Sequence, residues 1–415
     1  MNNRELIPHL FRTEYRKIVS VLCKHFGADK IEIAEDIASD TFLTAAESWG
    51  QSQIPPNPIA WLYSVAKNKA KSYMQRDTLF ENKISKEILK SSDTKSELDL
   101  SPENITDSQL QMMFAICHPS ISTEAQIGLS LRILCGFGID EIADAFLSNK
   151  ETINKRLFRA KEKLREEKVK IEVPVASDIN ERLETVLTTI YLLFNEGYYS
   201  ESQNSILRKD MCLEAMRLCY MLIENNDTNQ PSVNALLSLM CFHASRFEAR
   251  INEKGEPVLY QEQDVTLWDT ELIRKGEYFL TNAAKGPTLS KYHVEAAIAY
   301  WHTHKADTKE KWENILQLYN ALLQIEYSPI AALNRTYALS KANSKKEAII
   351  EAENLQLTDN HYYYSLLGEL YTGIDYSKAK DNYQKALALT KKSTEKQLIE
   401  GKMERLRDIS NSSID

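Results

Sequence analysis

Seven basic side chains, Lys150, Lys155, Arg156, Arg159, Lys161, Lys163 and Arg165, crowd into residues 150–165, against two acidic ones, Glu151 and Glu162. Cations of this kind neutralise phosphates, and hydroxyl or amide groups beside them can read base edges. Ile153, Leu157, Ala160 and Leu164 recur at helical spacing within a narrow arc, which predicts the buried seam of an amphipathic helix. The opposite arc then carries Glu151, Thr152, Asn154, Lys155, Phe158 and Arg159, with Lys150, Arg156, Lys161 and Lys163 on its flanks.

Upstream, Ile139, Ile142, Ala143 and Phe146 lie on one face of a short helix, and the small Ala143 lets a neighbour come close. Ser148 stands three residues before Glu151, a capping-box spacing that predicts a helix start at about Asn149. Short helix, tight turn and basic amphipathic helix make a helix-turn-helix, whose second helix enters a major groove N-terminus first. Thr152 and Lys155 would reach base edges while Arg156, Arg159 and Lys163 grip phosphates. Glu151 has two open roles, helix cap or acceptor from a cytosine amino group. The bland alternative is a helical hairpin with a solvated charged face.

A second basic helix is read in "NPIAWLYSVAKNKAKSYMQRD", where Asn57-Pro58 is a good helix start. Ile59, Leu62, Ala66, Ala70 and Tyr73 form its expected buried stripe, leaving Lys67, Asn68, Lys69, Lys71, Ser72 and Arg76 outward, with Trp49 and Trp61 nearby. Cations interleaved with rings suit a single strand, whose backbone the cations track while the rings stack on unpaired bases. The acidic helix before it, "EIAEDIASDTFLTAAESWG", places Glu35, Asp36 and Asp40 together, which asks for a protein partner rather than DNA.

These helices belong to a chain of 415 residues, 43% hydrophobic and 27% charged, with only 12 Gly and 11 Pro. Apolar spacings of three and four dominate, so an all-α fold is expected. The net charge of −8 falls entirely behind residue 170, since residues 1–170 hold equal numbers of acidic and basic side chains. A neutral front can approach nucleic acid; an acidic rear should not. Six scattered cysteines without a C-x-x-C pair, and no signal peptide, suit a reducing cytoplasm. No apolar run is long enough to span a bilayer, so no membrane role is expected.

Four segments follow: helical blocks at 1–77 and 108–170, a polar flexible linker at 78–107, and a helical array over 171–415. Near the end of the array Leu333, Asn334 and Tyr337 recur 34 residues later as Leu367, Gly368 and Tyr371, followed by Ala379, Tyr383 and Ala386. That period is tetratricopeptide-like and predicts stacked helical hairpins rather than a plain bundle. Residues 250–264, around Lys254-Gly255, read as an inserted hairpin or long loop. His302 and His304 point to different sides of a helix and no phosphate loop or nucleophile motif occurs, so neither an enzyme, a metal site nor a cofactor is expected.

Taken together, "AEDIASDTFLTAAESW", "NPIAWLYSVAKNKAKSYMQR" and residues 122–166 resemble, in order, the polymerase-docking helix, the promoter-melting helix and the −35 reader of the extracytoplasmic-function type of RNA polymerase sigma factor. "YLLFNEGYYS", "MCLEAMRLC", "QDVTLWD", "VEAAIAYWH" and "SPIAALNRTYAL" resemble the extension of that type's tetratricopeptide-tailed group. The resemblance implies a dissociable initiation factor that docks on the β′ clamp and β flap of core polymerase. Glu35, Asp36, Asp40 and Phe42 would dock core. Trp49, Trp61, Lys67, Asn68, Lys71 and Arg76 would hold the melted −10 strand. Lys150, Glu151, Thr152, Asn154, Lys155, Arg156, Arg159 and Lys163 would grip the −35 duplex.

Departures from the family pattern are Ser39-Asp40 where Gln-Glu is usual, Ser72 where Asp is usual, and Gln75-Arg76 where two Arg are usual. The first keeps one carboxylate; together they reduce charge contacts at the −10 helix, so promoter preference does not carry over. The array would modulate activity, through contact with the sigma domains, a peptide or a protein. The competing function is a stand-alone helix-turn-helix regulator with a sensing array.

Overall fold

The computed structural model of the chain describes residues 3–51, 54–84, 98–175, 177–199, 205–252, 258–390 and 393–411. The fold is all-α, in two compact units, residues 1–229 and 230–415.

In the first unit, α1 (Asn3–Phe26), α2 (Ile31–Gln51) and α3 (Pro58–Ile84) bundle around Tyr15, Ile18, Leu22, Ile31 and Leu62. Of the stripe expected on α3, Leu62, Ala66 and Ala70 are buried, whereas Ile59 in the first turn is exposed. The expected linker at 78–107 is shorter than the sequence suggests. α3 runs on to Ile84, Leu98 and Leu100 are buried, and the Ser101 hydroxyl caps α4 (Pro102–Ile116). The remainder of that linker, 85–97, lies outside the described residues.

Helix α5 (Thr123–Leu129) continues as a π-helical turn over Ser130–Leu134, followed by α6 (Ile139–Ala145) and α7 (Lys150–Glu166). Gly136 joins the π turn to α6 with a positive φ of 75°, and a Cβ there would lie 2.7 Å from the Arg12 carbonyl oxygen. Only glycine lets this turn press against α1. Arg12 completes the contact, its guanidinium 4.0 Å over the Phe137 ring and paired with Glu141.

The array read from residue 171 onward does not part from the front at that point. α8 (Ile179–Tyr199) and α9 (Ser205–Glu224) pack in the first unit, and the compact units part between Asn229 and Gln230. Polar contacts between distant segments account for the difference, which residue spacing does not reveal. Arg182 donates to the Phe114 carbonyl at 2.6 Å, Thr189 to the Gln126 side chain at 2.9 Å, and Arg217 to the Leu134 carbonyl at 2.6 Å. Glu214 pairs with both Arg217 and Arg16 of α1. The first two helices of the extension thus touch both front blocks.

The second unit stacks α10 (Pro231–Ala244), α11 (Thr270–Ala283), α12 (Lys291–Trp301), α13 (Lys309–Ile325), α14 (Pro329–Ala342), α15 (Lys345–Leu355), α16 (His361–Tyr371), α17 (Tyr376–Leu389) and α18 (Ser393–Asn411), each packing on the next in chain order, with α10 packing on α12 as well. Between α10 and α11 the described residues around the expected insertion form short 3-10 turns at Phe247–Ala249, Tyr260–Glu262 and Val265–Leu267, while its Lys254-Gly255 lies outside the described residues. The 34-residue recurrence places Leu333 and Leu367 in the common core of α14 to α17. At Gly368 α16 approaches α17 closely, since a Cβ would sit 2.7 Å from the Tyr383 ring. Gly368→Ala is therefore expected to destabilise the second unit by about 1–3 kcal/mol through overpacking, read as a fall in its melting temperature. An unchanged melting temperature would show that Tyr383 yields freely.

All six cysteines are buried thiols, and among the described residues no helix is long and apolar enough to cross a membrane.

Candidate nucleic-acid interface

Helix α7 starts where its apolar seam does. Ile153, Leu157, Ala160 and Leu164 are all buried, while Glu151, Thr152, Asn154, Lys155, Phe158 and Arg159 are exposed on the other side. The cap is Asn149 rather than the Ser148–Glu151 box read from the sequence: its side-chain oxygen accepts from the Thr152 amide at 2.8 Å. Glu151 is left exposed, paired with Lys155 at 2.6 Å, and so is not the cap. The turn ahead of the helix is closed by Leu147 with φ 47°, and the Ser148 amide donates to the Ala143 carbonyl.

The basic side chains divide into groups that the sequence does not separate. Lys150 pairs with Asp140 at 2.6 Å, and Lys163 with Glu167 at 2.9 Å. Arg156 lies 5.4 Å over the Phe146 ring, and Arg159 makes no ion pair among the described residues. Thr152, Lys155, Arg156, Arg159 and Lys163 line a shallow groove of about 460 Å³ with the N-terminal end of α5. Lys161 and Arg165 turn the other way, toward α2 and the turn before it: Lys161 to Glu35, and Arg165 to Glu32 and the Asp29 carbonyl.

Glu35 is accordingly not the exposed acid that its place on α2 suggests. It is 7% exposed, held by Arg132 Nε at 2.9 Å and by Lys161. Arg132 also donates to the Tyr15 hydroxyl at 2.9 Å and the Phe137 carbonyl at 3.2 Å. Burial first, and the Glu35 charge next, push the Tyr15 hydroxyl well above the ordinary phenol range, so Tyr15 stays a neutral partner here. One carboxylate therefore ties α2 to the π turn and to α7.

Asp36 and Asp40 are exposed, with Asp40 bridged to Lys69 at 2.7 Å. Phe42 is 5% exposed and packs edge-on against Phe11 in the bundle core, so it offers no surface for a partner. Leu43, which the sequence pattern does not single out, is the exposed apolar residue of this face. With Asp36, Asp40, Asn68 and Arg76 it lines a groove of about 930 Å³ between α2 and α3. The signal is the spacing, since Asp36, Asp40 and Leu43 stand at i, i+4 and i+7 and so share one face of the helix.

On α3, Asn68, Lys71 and Arg76 are exposed, and Lys67 is half-buried. Lys67 and Lys71 carry no ion pair among the described residues. Trp49 is 6% exposed with its ring 5.3 Å from that of Trp61, and its indole Nε1 is buried without a hydrogen-bond partner among the described residues. Trp61 is half-buried. In this arrangement Trp49 is a core residue, and only Trp61 of the pair has an edge open to a base.

Comparison with known proteins agrees with this layout at the front of the chain. Sigma-70 region 2 matches residues 10–79, from within α1 to within α3, and a Family of unknown function (DUF6596) matches residues 182–284, from within α8 to the end of α11. No solved structure matches. An uncharacterized protein of Rhizobium meliloti (strain 1021) is 31% identical over 384 residues, which is 91% of this chain and 90% of the relative. The chain therefore belongs to one family with that rhizobial protein, and the sigma-70 region 2 built by its first three helices gives it a sigma-factor-like role in transcription initiation.

Proposed function

We propose that the chain is an alternative sigma factor of the extracytoplasmic-function type, which acts in the cytoplasm and brings bacterial RNA polymerase core to specific promoters. The observation that carries this reading is the order of parts: a sigma-70 region 2 over residues 10–79, then the closely linked α6 and α7, the second with a dry seam and an exposed basic face. Asp36, Asp40 and Leu43 dock core polymerase. Lys67, Asn68, Lys71 and Arg76, with the edge of Trp61, hold the opened −10 strand. Thr152, Asn154, Lys155, Arg156 and Arg159 meet the −35 duplex, with Glu151 as a base acceptor once Lys155 turns to phosphate. Melting draws on base capture and polymerase contacts, so no catalytic residue is needed.

The tetratricopeptide-like second unit modulates this activity. Run-off transcription with core polymerase tests both statements. The full chain should give promoter-dependent transcripts only with core present. Absence of transcripts, with tight operator binding by the protein alone, would leave a stand-alone regulator instead. A chain ending at Asn229, which keeps the first compact unit whole, should differ from the full chain in transcript yield or promoter response. Identical behaviour would remove the modulatory role.

A further inference from the structure

The second unit holds a cavity of about 740 Å³, roofed by the loop turn at Tyr260 and walled by the turn that follows α12 and by α13, α14 and α16 to α18. That size lies in the range of roughly 300–1,000 Å³ typical of small-ligand sites. Its charge is unusual. Of its two lining acids, Asp307 is engaged by Lys341 at 2.6 Å and by the Trp312 indole, and Glu369 by Lys402 at 2.9 Å. Arg246, Lys305 and Lys311 surround the Tyr260 ring at 5.5, 5.3 and 5.1 Å, and none of the three pairs with a carboxylate among the described residues.

The two lysines have neutral partners. Lys305 donates to the Tyr260 and Gln263 carbonyls at 2.7 and 2.9 Å, and Lys311 to the His304 carbonyl at 2.6 Å and the Tyr260 hydroxyl at 3.0 Å. Arg246 is different: it is 9% exposed, lines the cavity, and its Nε is buried with no hydrogen-bond partner among the described residues. A guanidinium taken out of water without an anion is strongly disfavoured, and an orphaned donor of this kind calls for a missing acceptor. The same excess of positive charge acts on the neighbouring ionisable groups. Burial, joined by Arg246 and Lys305 and opposed by Asp307, brings Lys311 down to about 8, and burial together with Arg246 and Lys311 brings His302 down to about 3.

Next to the cations stand flat surfaces. The Trp312 ring meets Tyr337 at 5.5 Å and neutral His302 at 6.0 Å. From this juxtaposition we infer that the cavity binds a small organic anion, a phosphate or carboxylate carried on a planar ring, with the anion on Arg246 and the ring against Trp312 and Tyr337. The inference is independent of the sigma-factor reading, because it concerns only the chemistry of the second unit.

Calorimetry and thermal unfolding of the full chain test it, with AMP as the phosphate probe, benzoate as the carboxylate probe, and adenosine and inorganic phosphate as half-ligands. AMP or benzoate should bind at one site per chain and raise the melting temperature, each half-ligand binding more weakly. Arg246→Gln should lower affinity by about tenfold or more, the loss of a charge-assisted hydrogen bond. Without ligand the same variant should be at least as stable as the wild type, since it removes a buried charge that has no carboxylate partner among the described residues. Should Arg246→Gln unfold, Lys305→Gln is expected to show the same loss of affinity. The proposal is overturned if neither ring-bearing anion binds at millimolar concentration, if adenosine binds as tightly as AMP, if inorganic phosphate does so, or if the folded variant binds as the wild type does.

Discussion

Reversing the charge of Arg156 and Arg159 together should reduce promoter-dependent transcription by about 100-fold, at roughly 1–3 kcal/mol for each guanidinium withdrawn from the DNA. These two differ from their neighbours in what they do not touch. Lys150, Lys155 and Lys163 sit in ion pairs on the helix surface, and Lys161 and Arg165 face α2. Arg159 has no carboxylate partner among the described residues and Arg156 has only the Phe146 ring, so these two guanidiniums reach a phosphate without first breaking a salt bridge. Neither belongs to the seam, and the variant Arg156→Glu with Arg159→Glu should keep the helical content of the wild type. The slope of log binding constant against log salt should fall by about 0.9 for each phosphate no longer neutralised. Transcript yield and salt slope both unchanged would mean that this face of α7 does not meet DNA.

What the sequence discloses about this interface follows from how local each cause is. The α7 seam is legible because Ile153, Leu157, Ala160 and Leu164 encode one face by spacing alone, and the structure buries all four. The start of that helix is less so: Ser148 and Glu151 satisfy a capping pattern, but Asn149 is one residue nearer and its side chain takes the Thr152 amide. Phe42 and Trp49 show a different limit. An aromatic beside acids or cations reads as a contact residue, yet rings of this size are also what a three-helix core needs, and here both are buried. The linker is shorter than its composition suggests because Leu98 and Leu100, isolated in a polar run, give no period to read. The extent of the first unit is illegible for the same reason. Arg182, Thr189 and Arg217 bond to partners 63 to 83 residues away, and no pattern within α8 or α9 announces them.

Glu35 is the residue whose loss should cost the first unit most. Truncating one member of a buried ion cluster leaves its partners charged and dry, which costs about 3–5 kcal/mol. Glu35→Ala would strand Arg132 and Lys161 together, two cations whose side chains are 15% and 13% exposed. Amide hydrogen exchange in α7 and the π turn should quicken well before that in the core of α1. Removing the cations as well, in Glu35→Ala with Arg132→Met and Lys161→Met, should restore most of the stability, because an apolar replacement leaves no charge unmatched. A loss within about 0.5 kcal/mol, the ordinary range of a surface change, would show that Glu35 is solvated in the working protein. The pair of variants also separates two uses of this carboxylate. A polymerase surface that took Glu35 would have to displace both Arg132 and Lys161, so the triple variant, stable but without the acid, should dock core as well as the wild type if Asp36, Asp40 and Leu43 suffice. If it docks more weakly, Glu35 is itself a docking residue, and the link between α2 and α7 has to open before polymerase can bind.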